Sequence, residues 1–206
     1  MEDNDFKIIG ITLPQEHPGG SRLEAELISK YLEAGAIDWI HIRKPEASEA
    51  YTDDVLSEIP SRLLPRITLH SHFNLRDKYP VGGLHLKNPP GKPTVKSLRL
   101  SRSCHSVEEL GTEDINRYTY SFLSPIYDSI SKKGYHAAFD LSDGNLPFFI
   151  EGKNVVALGG VVPDKFKELF RLKFAGAALL GYLWSQNTID TQIMELLRGR
   201  NLLVSS

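Results

Sequence analysis

The stretch Ile67-Thr68-Leu69-His70-Ser71-His72-Phe73 ends an apolar run in two histidines one residue apart. Residues i and i+2 of an extended strand project to one side, so His70 and His72 could converge on one ligand, a metal or otherwise. The plainer reading is a pair of solvated loop-entry residues. An imidazole titrates near neutral pH and can both give and accept a proton, which makes the same residues acid/base candidates. A second pair with this spacing, His41 and Arg43, closes the run IDWIHIR (37–43). His85 and His105 end further runs, so five of the seven histidines fall at strand-like termini. Read individually, His85 and His105 are hydrogen-bonded plugs as readily as functional groups. Cys104 is the sole cysteine, which excludes an internal disulfide and a cysteine-based zinc site within one chain.

Anion chemistry is written in the second half. NVVALGGVVPDKF carries Gly159 and Gly160 at a strand end, before a helix opened by Pro163, where backbone N–H groups can face a phosphate. A following run ends in Leu180-Gly181, a second small-residue turn. Between the two halves, SPIYDSISKKGYHAAFD (124–140) offers Ser129, Ser131 and Lys132, hydroxyls beside a cation that suit a pyrophosphate, with Gly134 as a hinge for a lid.

Eight short β-rich runs must position these residues: 6–13, 37–43, 66–70, 82–86, 97–103, 117–123, 154–160 and 175–181. Helical periodicity separates several of them, over 21–33, 48–59 and, at the end, 188–199. Alternation of this kind predicts parallel βα units. Eight strands, with no G-x-G-x-x-G after the first, favour a single closed (β/α)8 TIM barrel of small size over an open doubly wound sheet. One domain is expected over 1–206. In such a barrel the strand C-termini build the active face, and phosphate sites recur after strands seven and eight.

Composition narrows the classes. A net charge of -2, with 24% charged and 41% hydrophobic residues, argues against a nucleic-acid footprint. No apolar run reaches the roughly 18 residues of a membrane span, and the acidic MEDNDF start is unlike a secretory signal. A cytoplasmic protein acting on a small phosphate or pyrophosphate is expected, with no nucleic-acid or membrane partner. The amphipathic last helix leaves room for a homo-oligomer.

GAIDWIHIRKP, ITLHSHFNLRDKYPVGGLHL, LSRSCHS, SPIYDSISKKG, VVALGGVVPDKF and AGAALLGYLW occur in that order from about residue 6 to 185. Together they resemble the thiamine phosphate synthase family, which includes the TenI-like thiazole tautomerases. The resemblance implies a (β/α)8 barrel that binds a thiazole phosphate-type ligand. A synthase, a transferase, joins that ligand to an aminopyrimidine pyrophosphate with help from Mg²⁺.

The family's motifs transfer unevenly. Arg43 is kept while the family's glutamine is His41. Ser103-Cys104-His105 keeps the Ser-x-His, and Ser129-Ile130-Ser131-Lys132 keeps the lid motif's hydroxyls and cation. Gly159, Gly160, Leu180 and Gly181 retain the phosphate turns. The Asn-Asp pair after strand three is His70-Ser71 here, and the aspartate expected after strand four is Pro90. Both Mg²⁺ aspartates are therefore absent, so no metal ligand is assigned and the reading is a divergent synthase. The alternatives are a TenI-like tautomerase using a histidine acid/base, although the tautomerase histidine aligns with Pro125, or a barrel that only binds a thiazole or thiamine phosphate. Catalysis falls to His70 and His41, substrate binding to Arg43, Ser103, Ser129, Ser131, Lys132 and the four phosphate-turn residues. His72 reads as a bystander.

Overall fold

A computed structural model of the protein describes residues 6–87, 98–111, 117–128, 137–139, 141, 146, 150–185 and 188–204. Eight parallel strands close on themselves in sequence order, as the alternating pattern predicts. They are β1 Lys7–Ile11, β2 Trp39–Ile42, β3 Ile67–Leu69, β4 Gly83–His85, β5 Arg99–Cys104, β6 Tyr120–Leu123, β7 Val155–Leu158 and β8 Gly176–Leu179. Closure is made by β1 against β8, with Ile9 opposite Ala178.

The strands face two environments. Ile8, Ile40, Ile42, Ile67 and Leu69 point outward into the main core, where they meet Ile28 and Leu32 of helix α1 (Gly20–Glu33) and Val55 and Leu56 of helix α2 (Glu49–Glu58). The alternate positions fill the barrel with Ile9, Ile11, Tyr120, Phe122, Val156 and Ala178. Trp39 also packs against that interior, stacked on Tyr120 at 5.2 Å, with the Arg99 guanidinium 4.7 Å from its ring.

Helix α2 starts where the sequence predicts, with the Ser48 hydroxyl accepting from the Tyr51 N–H at 3.1 Å. Helix α3 (Val107–Leu110) is a single turn. Pro163 opens a 3-10 turn, Pro163–Lys165, that runs into the short helix α4 (Phe166–Arg171). The last helix, α5 (Ile189–Val204), runs beyond the expected 188–199. Gly199 is there for close packing: a Cβ would come within 2.9 Å of the Phe166 ring and 3.0 Å of the Pro163 carbonyl oxygen. No described helix is long and apolar enough to cross a membrane.

A buried polar knot braces the loops between β1 and α2. Lys44 Nζ donates to Glu24 Oε1 at 2.6 Å and to the Gln15 carbonyl at 2.8 Å, with both charged side chains fully buried. Tyr51 donates its hydroxyl to Glu24 Oε2 at 2.9 Å and accepts from the His17 N–H at 2.9 Å. Arg43 is tied back as well, its N–H donating to Thr12 Oγ1 at 2.9 Å.

Candidate functional site

The inward positions of β2 to β5 are unusually polar. Trp39 and His41, Thr68 and then His70, Gly83 and His85, Arg99, Ser101 and Ser103 alternate with the outward Ile40, Ile42, Leu69, Leu84 and Leu100. Strand register brings them level: His41 pairs with Thr68, and His85 with Ser101. Beyond the end of β3 the ladder continues through the His70 N–H, which donates to the Ile42 carbonyl at 3.1 Å. Gly83 has a local reason, because a Cβ there would press on Thr68 Oγ1 at 2.5 Å.

Three imidazoles therefore meet at the mouth. His41 Nδ1 lies 2.8 Å from His70 Nε2, and His41 Nε2 lies 2.6 Å from the Tyr120 hydroxyl. His85 stacks on His70 with ring centroids 4.0 Å apart and planes 13° from parallel. Its Nδ1 meets Ser101 Oγ at 2.9 Å and its Nε2 meets Ser103 Oγ at 3.2 Å. Exposure grades outward: His41 has 0%, His85 7%, and His70 is half-buried.

Burial keeps this cluster neutral, because desolvation disfavours the imidazolium. It holds His41 and His70 well below the usual histidine range, helped for both by their histidine neighbours. Burial also pushes His85 down to about 4, and Arg43 adds to the effect on His85 and His70. The Arg43 guanidinium thus faces the histidines from the end of β2. Among the described residues it pairs with no carboxylate, which leaves it suited to an anionic ligand.

The other expected site residues divide. Ser103 joins the cluster through His85. Gly159 and Gly160 form a turn with φ of 95° and 65°, the left-handed region that favours glycine. That turn lies against the loop after β6, where the Ile126 and Tyr127 N–H groups donate to the Leu158 and Gly159 carbonyls. A Cβ on Gly160 would overlap the Asp128 carbonyl oxygen. Leu180 packs against the barrel interior above β8, and its carbonyl accepts from the Leu183 N–H in the turn that contains Gly181. Ser129, Ser131 and Lys132 lie outside the described residues, as do Gly134 and Pro90.

The geometry bears out one reading and corrects another. His72 does not converge with His70, because β3 ends at Leu69 and His72 takes a left-handed φ of 53°. Its Nδ1 turns to Glu49 Oε2 at 3.5 Å instead. His85 is both a hydrogen-bonded plug and a member of the cluster, and sequence reasoning left it off the site. The signal was available in strand parity, since His85 and Ser101 occupy inward alternate positions on adjacent strands. His105 is exposed, with Nδ1 3.2 Å from the Ser124 carbonyl.

The Mg²⁺ that the family's synthases use meets the wrong donors here. Among the described residues the mouth offers imidazole nitrogens and serine hydroxyls, whereas Mg²⁺ demands oxygens, carboxylates above all. Of the described acids beside the strand ends, Glu49 is engaged by His72 and Asn74, and Asp128 accepts from the Ala137 N–H. The described residues do not fit Mg²⁺, and no step is derived through it.

No family model matches the chain, and no curated protein matches it. Solved structures do. Thiamine phosphate pyrophosphorylase from Bacteroides thetaiotaomicron is 32% identical, with a TM-score of 0.76 over 96% of this chain and 98% of that one. Thiamine phosphate pyrophosphorylase from Pyrococcus furiosus is 18% identical, with a TM-score of 0.74 over 98% of each chain. (S)-3-O-geranylgeranylglyceryl phosphate synthase from Thermoplasma acidophilum, solved with sn-glycerol-1-phosphate, is 9% identical at a TM-score of 0.66 over 94% of this chain and 92% of that one. The last two share the fold alone. The first shares nearly a third of its residues over almost its whole length, and with it this chain belongs to the thiamine phosphate synthase (pyrophosphorylase) family.

Proposed function

We propose that this chain binds a thiazole phosphate-type ligand at the C-terminal mouth of the barrel and moves a proton on its ring, as a thiazole tautomerase of the family. The observation that carries the reading is the hydrogen-bonded chain Tyr120–His41–His70, which ends at a partly exposed imidazole with no carboxylate beside it among the described residues.

The chain can run in two directions, and each gives His70 a different role. When His70 Nε2–H donates to His41 Nδ1, and His41 Nε2–H donates to the Tyr120 oxygen, His70 Nδ1 holds a free lone pair and is a base. When Tyr120 donates its proton to His41 Nε2 and His41 Nδ1–H donates to His70 Nε2, His70 Nδ1 carries a proton and is an acid. A ring proton taken up at His70 Nδ1 makes an imidazolium, and its return from the same atom to another ring position completes the shift with no net change in protons. His70 is the catalytic residue in this scheme. His41, wholly buried behind it, is a positioning residue. The Gly159-Gly160 and Leu180-Gly181 turns and Arg43 take the phosphate, with Ser103 at the ring; Ser129, Ser131 and Lys132 are assigned to the same ligand.

A second reading is favoured by the 32% identical pyrophosphorylase: joining the thiazole phosphate to an aminopyrimidine pyrophosphate. One assay separates the two. The purified chain is incubated with the thiazole tautomer alone, and in parallel with thiazole phosphate, aminopyrimidine pyrophosphate and Mg²⁺. Conversion to the aromatic thiazole is the expected result. Thiamine phosphate formed at enzymatic rates, with no tautomer conversion, supports the synthase instead. Stabilisation by thiazole phosphate without either product leaves a binding protein.

A further inference from the structure

One ring nitrogen from each of His41, His70 and His85 lies within 4.8 Å of the other two. We propose that these three side chains form a site for a borderline first-row divalent cation, zinc foremost, with the fourth position left to water or a ligand. The ligand atoms are His41 Nδ1, His70 Nε2 and His85 Nε2. Three neutral imidazoles suit zinc, cobalt, nickel or copper, where an oxygen-poor set repels calcium and magnesium.

The ring nitrogens that would not bind carry the stronger part of the case. A metal-bound histidine is usually held by a polar partner on its other nitrogen, which fixes the tautomer and the ring orientation. His41 Nε2 has the Tyr120 hydroxyl at 2.6 Å, and His85 Nδ1 has Ser101 Oγ at 2.9 Å. Both oxygens can accept the N–H that coordination at the opposite nitrogen requires. The proposed ligand nitrogen of His85 has only the longer 3.2 Å contact to Ser103, which gives way.

Loading needs small, definite movements. Two nitrogens on one tetrahedral zinc at roughly 2.0–2.1 Å sit about 3.3 Å apart. The His41–His70 pair, now at 2.8 Å around a shared proton, opens by a fraction of an ångström as the cation replaces that proton. His85 must tilt off His70, because parallel rings direct their in-plane lone pairs side by side. Arg43 opposes the added charge. The cation takes the nitrogens the proton chain uses, so a loaded chain and a proton-relaying chain are alternative states.

The test needs no substrate, so it stands apart from the proposed function, whose ligand binding is measured with chelator present. The full chain is stripped with chelator, dialysed, and titrated with Co²⁺ by visible absorption and with Zn²⁺ by calorimetry. One Co²⁺ per chain, with the intense bands of a four-coordinate site and displacement by Zn²⁺, is expected. His85→Gln and the milder Ser101→Ala should each weaken binding by at least about tenfold. His72→Gln should leave it unchanged, and Arg43→Met should tighten it. Urea unfolding in chelator verifies that each variant is folded. Fewer than one cation per chain, a pale six-coordinate cobalt spectrum, or unaltered affinity in both His85→Gln and Ser101→Ala overturns the site.

Discussion

Tyr120 and His41 face each other inside the barrel with 2.6 Å between the phenol oxygen and Nε2, and both are buried. Neither can turn to water for a partner, so each fixes the other. The contact transmits order outward: Tyr120 stacks on Trp39 below, and His41 meets His70 above. The floor of the barrel thereby sets the orientation of His70, the partly exposed end of this hydrogen-bonded relay.

Removing that contact should be costly although the ring remains. Tyr120→Phe leaves a buried His41 nitrogen unpaired, a loss of about 1–3 kcal/mol. For a chain of this size that lowers the melting temperature by roughly 2–4 °C per kcal/mol. Calorimetry of the two proteins decides it, and an unchanged melting temperature would mean that water or another group replaces the phenol.

His70→Asn tests the proton-transfer role. A positioned general acid or base contributes about 10²–10⁴-fold, so turnover of the thiazole tautomer should fall by at least about a hundredfold. Thiazole phosphate should still bind, since the phosphate turns are untouched. His72→Asn, on the ring held by Glu49, should keep full turnover. Equal turnover in His70→Asn and the unmodified chain removes His70 from the mechanism.

These two residues mark what could be read in the sequence and what could not. All eight strands were legible, because β-branched and leucine-rich runs recur between turn residues and helical periods. His70 was legible as chemistry because it ends such a run. His72 was rightly set aside as a bystander, and the structure gives the reason: the period-two rule holds only while the strand lasts, and β3 stops at Leu69. His85 was missed for a different reason: its role comes from the pairing of β3 with β4, which stacks it on His70 from the neighbouring strand. The last helix was read only to 199, and it runs on to Val204 past Gly199, which packs against Phe166 and Pro163.

The buried cluster should also make the protein sensitive to acid. In the unfolded chain each histidine titrates near 6.5, whereas burial holds all three lower in the native chain, His85 at about 4. Above 6.5 neither state binds the proton and the contribution is constant. As pH falls below 6.5, the unfolded chain takes up protons that the native chain refuses, so stability drops by about 1.4 kcal/mol per pH unit for each such group. Urea midpoints measured in chelator should therefore fall between about pH 7 and about pH 5, with a shallower slope in His85→Gln. A slope identical in the two proteins would show that His85 does not contribute.

Lys44 and Glu24 form a wholly buried pair outside the barrel, and breaking it should cost more than deleting it. Glu24→Gln leaves the buried Lys44 ammonium without its carboxylate partner, a penalty of roughly 3–5 kcal/mol. The double change Glu24→Gln with Lys44→Met removes the stranded charge and should recover much of that loss. Chemical denaturation of the three proteins gives the comparison; a double variant no more stable than Glu24→Gln would show that the backbone bond from Lys44 to Gln15 matters more.

The phosphate role proposed for the Gly159-Gly160 turn can be tested through its glycines, with a built-in control. Gly160 and Gly152 both hold positive φ, 65° and 72°, so alanine strains the backbone at either. At Gly152 nothing lies within 4 Å of the added methyl, and the cost there is the backbone term alone, about 1 kcal/mol. At Gly160 the methyl also collides with the Asp128 carbonyl and the Tyr127 side chain, which forces the β7 turn away from the loop after β6. Gly160→Ala should therefore destabilise more than Gly152→Ala and weaken thiazole phosphate binding by at least about tenfold, roughly 1.4 kcal/mol. Gly152→Ala should bind normally. Calorimetric titration of both variants reads the difference, and equal affinity would place the phosphate away from this turn.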